Sequence, residues 1–368
     1  MTDGDYMALA LELAGRGEGW TAPNPMVGAV IVQDGVIIGQ GWHRKCGDLH
    51  AEREALKSCT AHPAGATMYV TLEPCCHQGR QPPCTDAILQ AGIARVVVGC
   101  SDPNPLVAGK GLDILRAAGV EVVSGVLEEE CRRRNRAFFH FISTGRPYVV
   151  MKYAMTLDGK IAAYTGASKW ITGAAARENV HADRHRLSAI LAGIGTVLAD
   201  DPLLTCRLEG GKNPLRVIAD SALAIPLDSR IVKTAGEVPT VVAAGAADGE
   251  KKAALERAGC RVWELPGGDG RVDLPALLDR LGEEKIDSLL LEGGGTLNWA
   301  MLEGGLVNRV QAYIAPKLLG GAGAKSPVEG QGAPAPDLGA RLGELTLTRL
   351  GEDILIEGEV TGHVHRNC

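Results

Sequence analysis

Short apolar runs recur along the whole chain, ATMYVTLEP, ARVVVGC, SAILAG, PLRVIAD, TVVAAG and SLLLEGG among them, and stretches of helical length separate several of them. Strands that alternate with helices in this way predict a layered α/β fold. In the first half the pattern predicts a helix near Asp3 to Gly15, then two strands in VGAVIVQDGVIIGQG about Asp34-Gly35, a dipeptide suited to a tight hairpin turn. A helix from His50 to Ser58, the strand ATMYVTLEP, a helix from Cys84 to Ala91 and the strand ARVVVGC follow. The last elements expected in this half are a helix from Gly111 to Ala118, a strand from Val120 to Ser124 and one charged helix from Leu127 to Ile142.

The turn-forming segment STGRP, Ser143 to Pro147, stands directly before a new strand, PYVVMKYAMT. At 368 residues the chain exceeds the ~100–200 residues usual for one domain, so two domains are expected, residues 1–145 and 146–368. The second half alternates again, from a helix around Ala174 to Leu187 to a closing hairpin in LTLTRLGEDILIEGEV, with Gly320 to Gly339 as a surface loop.

Charge narrows the class of partner. With a formal net charge of −6, the densest basic cluster is Arg132-Arg133-Arg134, beside Glu128, Glu129 and Glu130, which reads as a solvated helix face. A small-molecule partner is therefore expected, and no nucleic acid. No stretch nears the ~18 apolar residues of a membrane span, and the N-terminal stretch is acidic and helix-like, so no membrane partner and a cytoplasmic location are expected. Ten cysteines over this length do not form a disulfide framework, and their one dense cluster is Cys75, Cys76 and Cys84 in PCCHQGRQPPC.

A hydrolytic zinc site needs three protein ligands, a position left open for water and a carboxylate to move protons. His50 and Glu52 form H-A-E at a helix start, Cys75 follows the strand end TLEP, and Cys84 opens the next helix, where unpaired N–H groups favour a thiolate. These residues resemble the H-x-E and P-C-x-x-C signature of zinc-dependent base deaminases, in which the glutamate shuttles protons rather than binding metal. One departure stands out: three residues after Cys75 comes Gln78, and the next thiol is Cys84. Adjacent residues of an extended chain point in opposite directions, which favours Cys75 with Cys84 over Cys75 with Cys76. Cys46 remains a competitor.

The motifs TAPNPMVGAVIV, HAE, TLEPC-x-H-x-GR-x-PPC and SDPNP, then KYAMTLDGKIA, SKWIT, AILAGIGTVLADDPLLTCR and LLLEGGGTLNWA, together resemble the bifunctional deaminase-reductase family of riboflavin biosynthesis. The enlarged cysteine loop is a hallmark of that family. Two departures are small: Cys76 stands where the family usually has Ser, and Leu49 where it usually has Pro. The resemblance implies a cytidine-deaminase-like three-layer domain followed by a dihydrofolate-reductase-like α/β domain, with Zn2+ and NADPH as cofactors. It implies deamination of 2,5-diamino-6-(5-phosphoribosylamino)pyrimidin-4-one, with Glu52 carrying the proton to the departing ammonia, and then hydride reduction of the ribosyl group to a ribityl chain. Assembly as a homo-oligomer is expected.

Site residues carry over at matching positions. Asn24, His43, Arg80 and Asn104 would border the deaminase pocket, the arginine suiting a phosphate. In the second half SLLLEGGGTLNWA has the strand, glycine loop and helix start that can bind phosphate, a weak signal by itself. With the resemblance, Gly294, Gly295, Thr296, Leu297, Asn298, Trp299 and Ala300 become expected NADPH contacts, together with Ala154, Trp170, Thr196, Asp200 and Ser221. Ser168, Arg184, Leu204, Arg207 and Glu292 would hold the substrate, the two arginines its phosphate, and Lys152 would lie nearby with no chemical step assigned. Other readings are a nucleoside or tRNA deaminase with a non-catalytic C-terminal module, and a zinc scaffold whose site Cys46 or Cys76 closes.

Overall fold

In the computed structural model, residues 1–78, 81–104 and 107–362 are described, and the chain forms two compact units, Met1–Gly145 and Arg146–Cys368. Arg80 lies outside the described residues. The first unit runs α1 (Asp3–Gly15), β1 (Gly28–Gln33), β2 (Val36–Trp42), α2 (Ala51–Lys57), β3 (Thr67–Leu72), α3 (Cys84–Gln90), β4 (Arg95–Cys100), α4 (Lys110–Ala117), β5 (Glu121–Ser124), α5 (Glu128–Arg134) and α6 (Arg136–Thr144). Its five strands lie in the order β2-β1-β3-β4-β5, with β1 antiparallel to both neighbours and β3, β4 and β5 parallel.

Asp34 and Gly35 both take positive φ, 50° and 78°, as a two-residue hairpin between Gln33 and Val36 demands. Helices cover both faces of the sheet. A Cβ on Gly28 would stand 2.0 Å from the Ala10 carbonyl oxygen of α1, and one on Gly41 would stand 2.3 Å from the Ala55 nitrogen of α2. Gly41 pairs with Ala29, the neighbour of Gly28, so these two glycines point to opposite faces and let a helix approach on each side. Between the layers Val30, Ile31, Met68, Val70, Val96 and Val98 are fully buried.

One expectation is corrected. The charged stretch after Leu127 is two helices, because Asn135 leaves the helical path to pair with Met26: its Oδ1 accepts from the Met26 N–H at 2.8 Å and its Nδ2 donates to the Met26 carbonyl at 2.9 Å. A side-chain amide that satisfies both groups of a distant residue outweighs continuation of a helix.

The second unit runs β6 (Tyr148–Thr156), α7 (Ala174–Arg186), β7 (Ala189–Gly193), α8 (Ile194–Asp200), β8 (Leu215–Ala219), α9 (Arg230–Lys233), β9 (Thr240–Ala244), α10 (Gly249–Arg257), β10 (Arg261–Glu264), α11 (Leu274–Glu283), β11 (Ser288–Leu291), α12 (Gly295–Glu303), β12 (Arg309–Ala315), β13 (Arg341–Leu350) and β14 (Asp353–Gly362). The nine strands are ordered β10-β9-β8-β7-β11-β6-β12-β14-β13, parallel from β10 to β12 and antiparallel in the closing hairpin. Fully buried Val217, Val241, Leu289, Leu291 and Leu277 belong to its core. So does Arg216 on β8, which has no carboxylate partner among the described residues: its guanidinium donates to the carbonyls of Leu203, Ile231 and Val238 and to the hydroxyls of Thr234 and Thr240, at 2.8–3.2 Å. Burial lowers its pKa to about 10, which leaves it charged at neutral pH.

Candidate functional sites

Three segments of the first unit converge on one point. His50 is the residue from which α2 starts, Cys75 lies just beyond β3, and Cys84 is the first residue of α3. The Nδ1 of His50 is 3.5 Å from Cys75 Sγ and 3.4 Å from Cys84 Sγ, and the three ligand atoms lie within 4.8 Å of one another. Backbone bonds fix the loop between the thiols: the N–H groups of Cys84 and Thr85 donate to the Cys75 carbonyl, at 3.0 and 3.3 Å. Neither Cys46 nor Cys76 joins the group.

A tetrahedral zinc with bonds of about 2.0–2.3 Å separates its ligand atoms by about 3.3–3.8 Å, and both imidazole-to-thiol distances fall in that range. Electrostatics prepares the site. Hydrogen bonds from Cys84, from His50 and from the Cys84 N–H outweigh burial and hold the Cys75 thiol down at about 4, as a thiolate, while the same contact pushes Cys84 up. Contact with Cys75 also raises His50. Glu52, in the first turn of α2 and 3% exposed, has its pKa raised by burial and then by the negative charge on Cys75. A carboxyl group that can hold or release a proton thus lies beside three metal-type ligands.

Two other expected pocket residues meet. His43, driven towards its neutral form by burial, is 3.0 Å from the Leu49 carbonyl through Nδ1, so its Nε2 accepts from Asn24 Nδ2 at 3.1 Å. The ring stands edge-on to His50 with centroids 5.5 Å apart, which places Asn24 and His43 beside the metal-type cluster. Asn104 follows β4, its N–H held by Asp102 at 2.8 Å. Burial raises Asp102 to about 6.

A residue that sequence reasoning missed connects these parts. Glu73, 3% exposed and two positions before Cys75, accepts from the backbone N–H groups of Asp102, Gly109 and Gly111, at 3.3, 3.0 and 3.1 Å. It ties the loop that carries Asn104 to the strand end that carries Cys75. A glutamate before a proline carries no local signal of that role, since its donors lie 29–38 residues away.

In the second unit the expected cofactor residues gather at the carboxyl ends of parallel strands, where ligands of open α/β sheets bind. Ala154 lies near the end of β6, Thr196 in the first turn of α8 after β7, Ser221 beyond β8, and Gly294 between β11 and α12. A Cβ on Gly294 would come 3.9 Å from Thr196 Oγ1, so two helix starts adjoin. Gly295, Thr296 and Leu297 form the first turn of α12. Asn298 is wholly buried and donates to the Pro327 carbonyl at 2.8 Å; Trp299 packs against Gly330, and Ala300 continues the helix. Asp200 ends α8 and accepts from Ser168 Oγ at 2.9 Å, while Trp170 is exposed under the Arg177 guanidinium, 4.7 Å from its ring centroid.

The expected substrate residues form a charged cluster. Glu292 takes Nε and Nη2 of Arg184 at 2.7 and 2.9 Å and faces Lys152 at 3.5 Å. Burial alone would raise this carboxyl; the charges of Arg184 and Lys152 hold it at about 2. Leu204 is buried at a positive φ of 52°, in the segment that brings Arg207 to α7.

The comparisons with known proteins follow this division. The family described as "RibD C-terminal domain" matches residues 147–356, and "Cytidine and deoxycytidylate deaminase zinc-binding region" matches residues 1–100. The riboflavin biosynthesis protein RibD of Actinobacillus pleuropneumoniae is 53% identical over 97% of this chain and 95% of its own. Among solved structures, Acinetobacter baumannii RibD, form 1, is similar at 40% identity and a TM-score of 0.88, covering 98% of this chain and 99% of that one. A diaminohydroxyphosphoribosylaminopyrimidine deaminase/5-amino-6-(5-phosphoribosylamino)uracil reductase from Thermotoga maritima is similar at 36% identity and a TM-score of 0.81, covering 97% and 98%.

Proposed function

The chain belongs to the RibD family, and on that premise we infer that its activities divide between residues 1–145, a zinc-dependent pyrimidine deaminase domain, and residues 146–368, an NADPH-dependent reductase domain. It is a bifunctional enzyme of riboflavin biosynthesis, with a cytidine-deaminase-like first domain and a dihydrofolate-reductase-like second one. Its substrate is 2,5-diamino-6-(5-phosphoribosylamino)pyrimidin-4-one, which it deaminates and then reduces at the ribosyl group to 5-amino-6-(5-phosphoribitylamino)uracil.

His50, Cys75 and Cys84 would hold zinc, which when bound supplies Lewis acidity and makes water a nucleophile near neutral pH. The observation that carries the reading is a His/Cys/Cys cluster of zinc dimensions with buried Glu52 beside it. Glu52 takes a proton from water and returns it to the leaving amine, a role its raised pKa supports. Asn24, His43 and Asn104 read the pyrimidine; Arg80, in the same assignment, lies outside the described residues. In the second domain NADPH supplies the hydride, the first turn of α12 and Thr196 receive its phosphates, and Ser168, Arg184, Leu204, Arg207 and Glu292 hold the substrate.

Two coarser expectations extend this reading. No helix among the described residues is long and apolar enough to cross a membrane. We place the enzyme in the reducing cytoplasm, since no disulfide joins any of the nine described cysteines. We also propose a homo-oligomer: the edge strand β13 is exposed along most of its length and bears Leu345 and Leu347, 55% and 69% exposed, a surface that pairing with another copy would cover.

One incubation with the phosphorylated diaminopyrimidine, following ammonia and NADPH separately, tests the assignment. Both signals are expected, in that order. In Glu52→Gln, zinc is retained, ammonia release falls by at least about 100-fold, and reduction of already deaminated substrate continues. Ammonia release near wild type in that variant removes Glu52 from proton transfer.

A further inference from the structure

Arg184 and Arg207 are both expected at the substrate phosphate, yet the structure puts them in different states. Each nitrogen of the Arg184 guanidinium has a protein partner: Nε and Nη2 donate to Glu292, and Nη1 to the Thr205 carbonyl at 3.1 Å. Arg207 is exposed, and among the described residues its Nη1 and Nη2 have no partner. Only its Nε–H is held, by Nε2 of His181 at 3.0 Å. A guanidinium held at Nε with both terminal nitrogens open presents a pair of donors to a phosphate.

His181 is built for that grip. It lies on α7, 8% exposed, one turn before Arg184. With Nε2 accepting from Arg207, the neutral ring carries its proton on Nδ1, which therefore does not accept from the Arg207 backbone nitrogen 3.3 Å away; the ring also bonds the Thr205 carbonyl, and the carbonyl of His181 accepts from Cys206 Sγ at 3.4 Å. Burial, with the charges of Arg184 and Arg207, depresses its pKa to about 4, so the ring is neutral and an acceptor at physiological pH.

We propose that His181 is the positioning residue of the phosphate clamp: its Nε2 aims Arg207 at the phosphate of the reductase substrate, while Arg184 holds the Thr205 segment in place. This rests on the reading of Arg207 as a phosphate-binding residue, and the experiment separates the two. His181→Phe keeps a buried ring without an acceptor, and His181→Gln offers an amide oxygen in its place. In the full-length, zinc-loaded enzyme at saturating NADPH, reduction is measured with the deaminated phosphoribosylamino substrate and with its dephosphorylated counterpart.

His181→Phe is expected to raise KM for the phosphorylated substrate about tenfold, with kcat, ammonia release and the KM for NADPH within about twofold. The dephosphorylated counterpart is reduced alike by both proteins, and His181→Gln recovers most of the loss. Arg207→Ala raises KM at least as much, and adding His181→Phe to it costs nothing further. An unchanged KM in Arg207→Ala overturns the reading of Arg207. A raised KM there, with His181→Phe unchanged or equally slowed on both substrates, overturns the positioning role alone.

Discussion

Cys75, Cys76 and Cys84 show how little residue type decides. The pKa of Cys75 is lowered to about 4, which keeps it a thiolate at neutral pH, Cys84 donates to it, and Cys76, one position away, has its thiol pushed up by burial and by the charge of Glu73. Adjacent side chains of an extended segment cannot share one small ion without a special turn, and Cys76 does not join the ligand group. Cys84→Ala is therefore expected to lose zinc and deamination, and Cys76→Ala to keep both, as metal analysis of the purified variants would report. Zinc loss from Cys76→Ala would contradict the ligand set. The cluster itself was legible in the sequence, since His50, Glu52, Cys75 and Cys84 announce themselves by type and spacing. Glu73 and His181 were not: each acts through partners about 26–38 positions away, and neither sits in a pattern that names them.

At the level of elements, strands and helices were predicted where apolar runs and turn residues mark their ends, and the Asp34-Gly35 hairpin followed from a dipeptide that tolerates two positive φ values standing between two β-rich runs. The break at Asn135 escaped because its cause lies 109 positions away, at Met26. Helix propensity is a local quantity, and a long-range pair of hydrogen bonds overrides it. In Asn135→Ala both bonds to Met26 are lost and a half-buried N–H and carbonyl are left unpaired, which costs about 1–3 kcal/mol. Chemical denaturation should show that loss in the first unit's transition. A larger fall in zinc content than in stability would mean instead that the strand start at Met26 bears directly on the metal cluster.

For the whole molecule, each unit has its own sheet and buried core, and each carries one of the candidate sites. Exhaustive treatment with a zinc chelator is expected to stop ammonia release, leave reduction of the deaminated substrate within about twofold, and be reversed by added zinc. Loss of NADPH oxidation under the same treatment would contradict the division of labour. Bifunctionality was legible because both sets of motifs lie in one chain; the aim of each arginine was not, because Arg184 and Arg207 differ only in what surrounds them. Arg216 extends that lesson to assembly. Its five acceptors come from β8's neighbour strand, the α9 region and the segment before Arg207, so the charge can leave water only when all of those pieces have arrived. A guanidinium buried before those pieces dock would leave donors unpaired in apolar surroundings, so this one side chain ties closure of the second unit's core to the arrival of each of them.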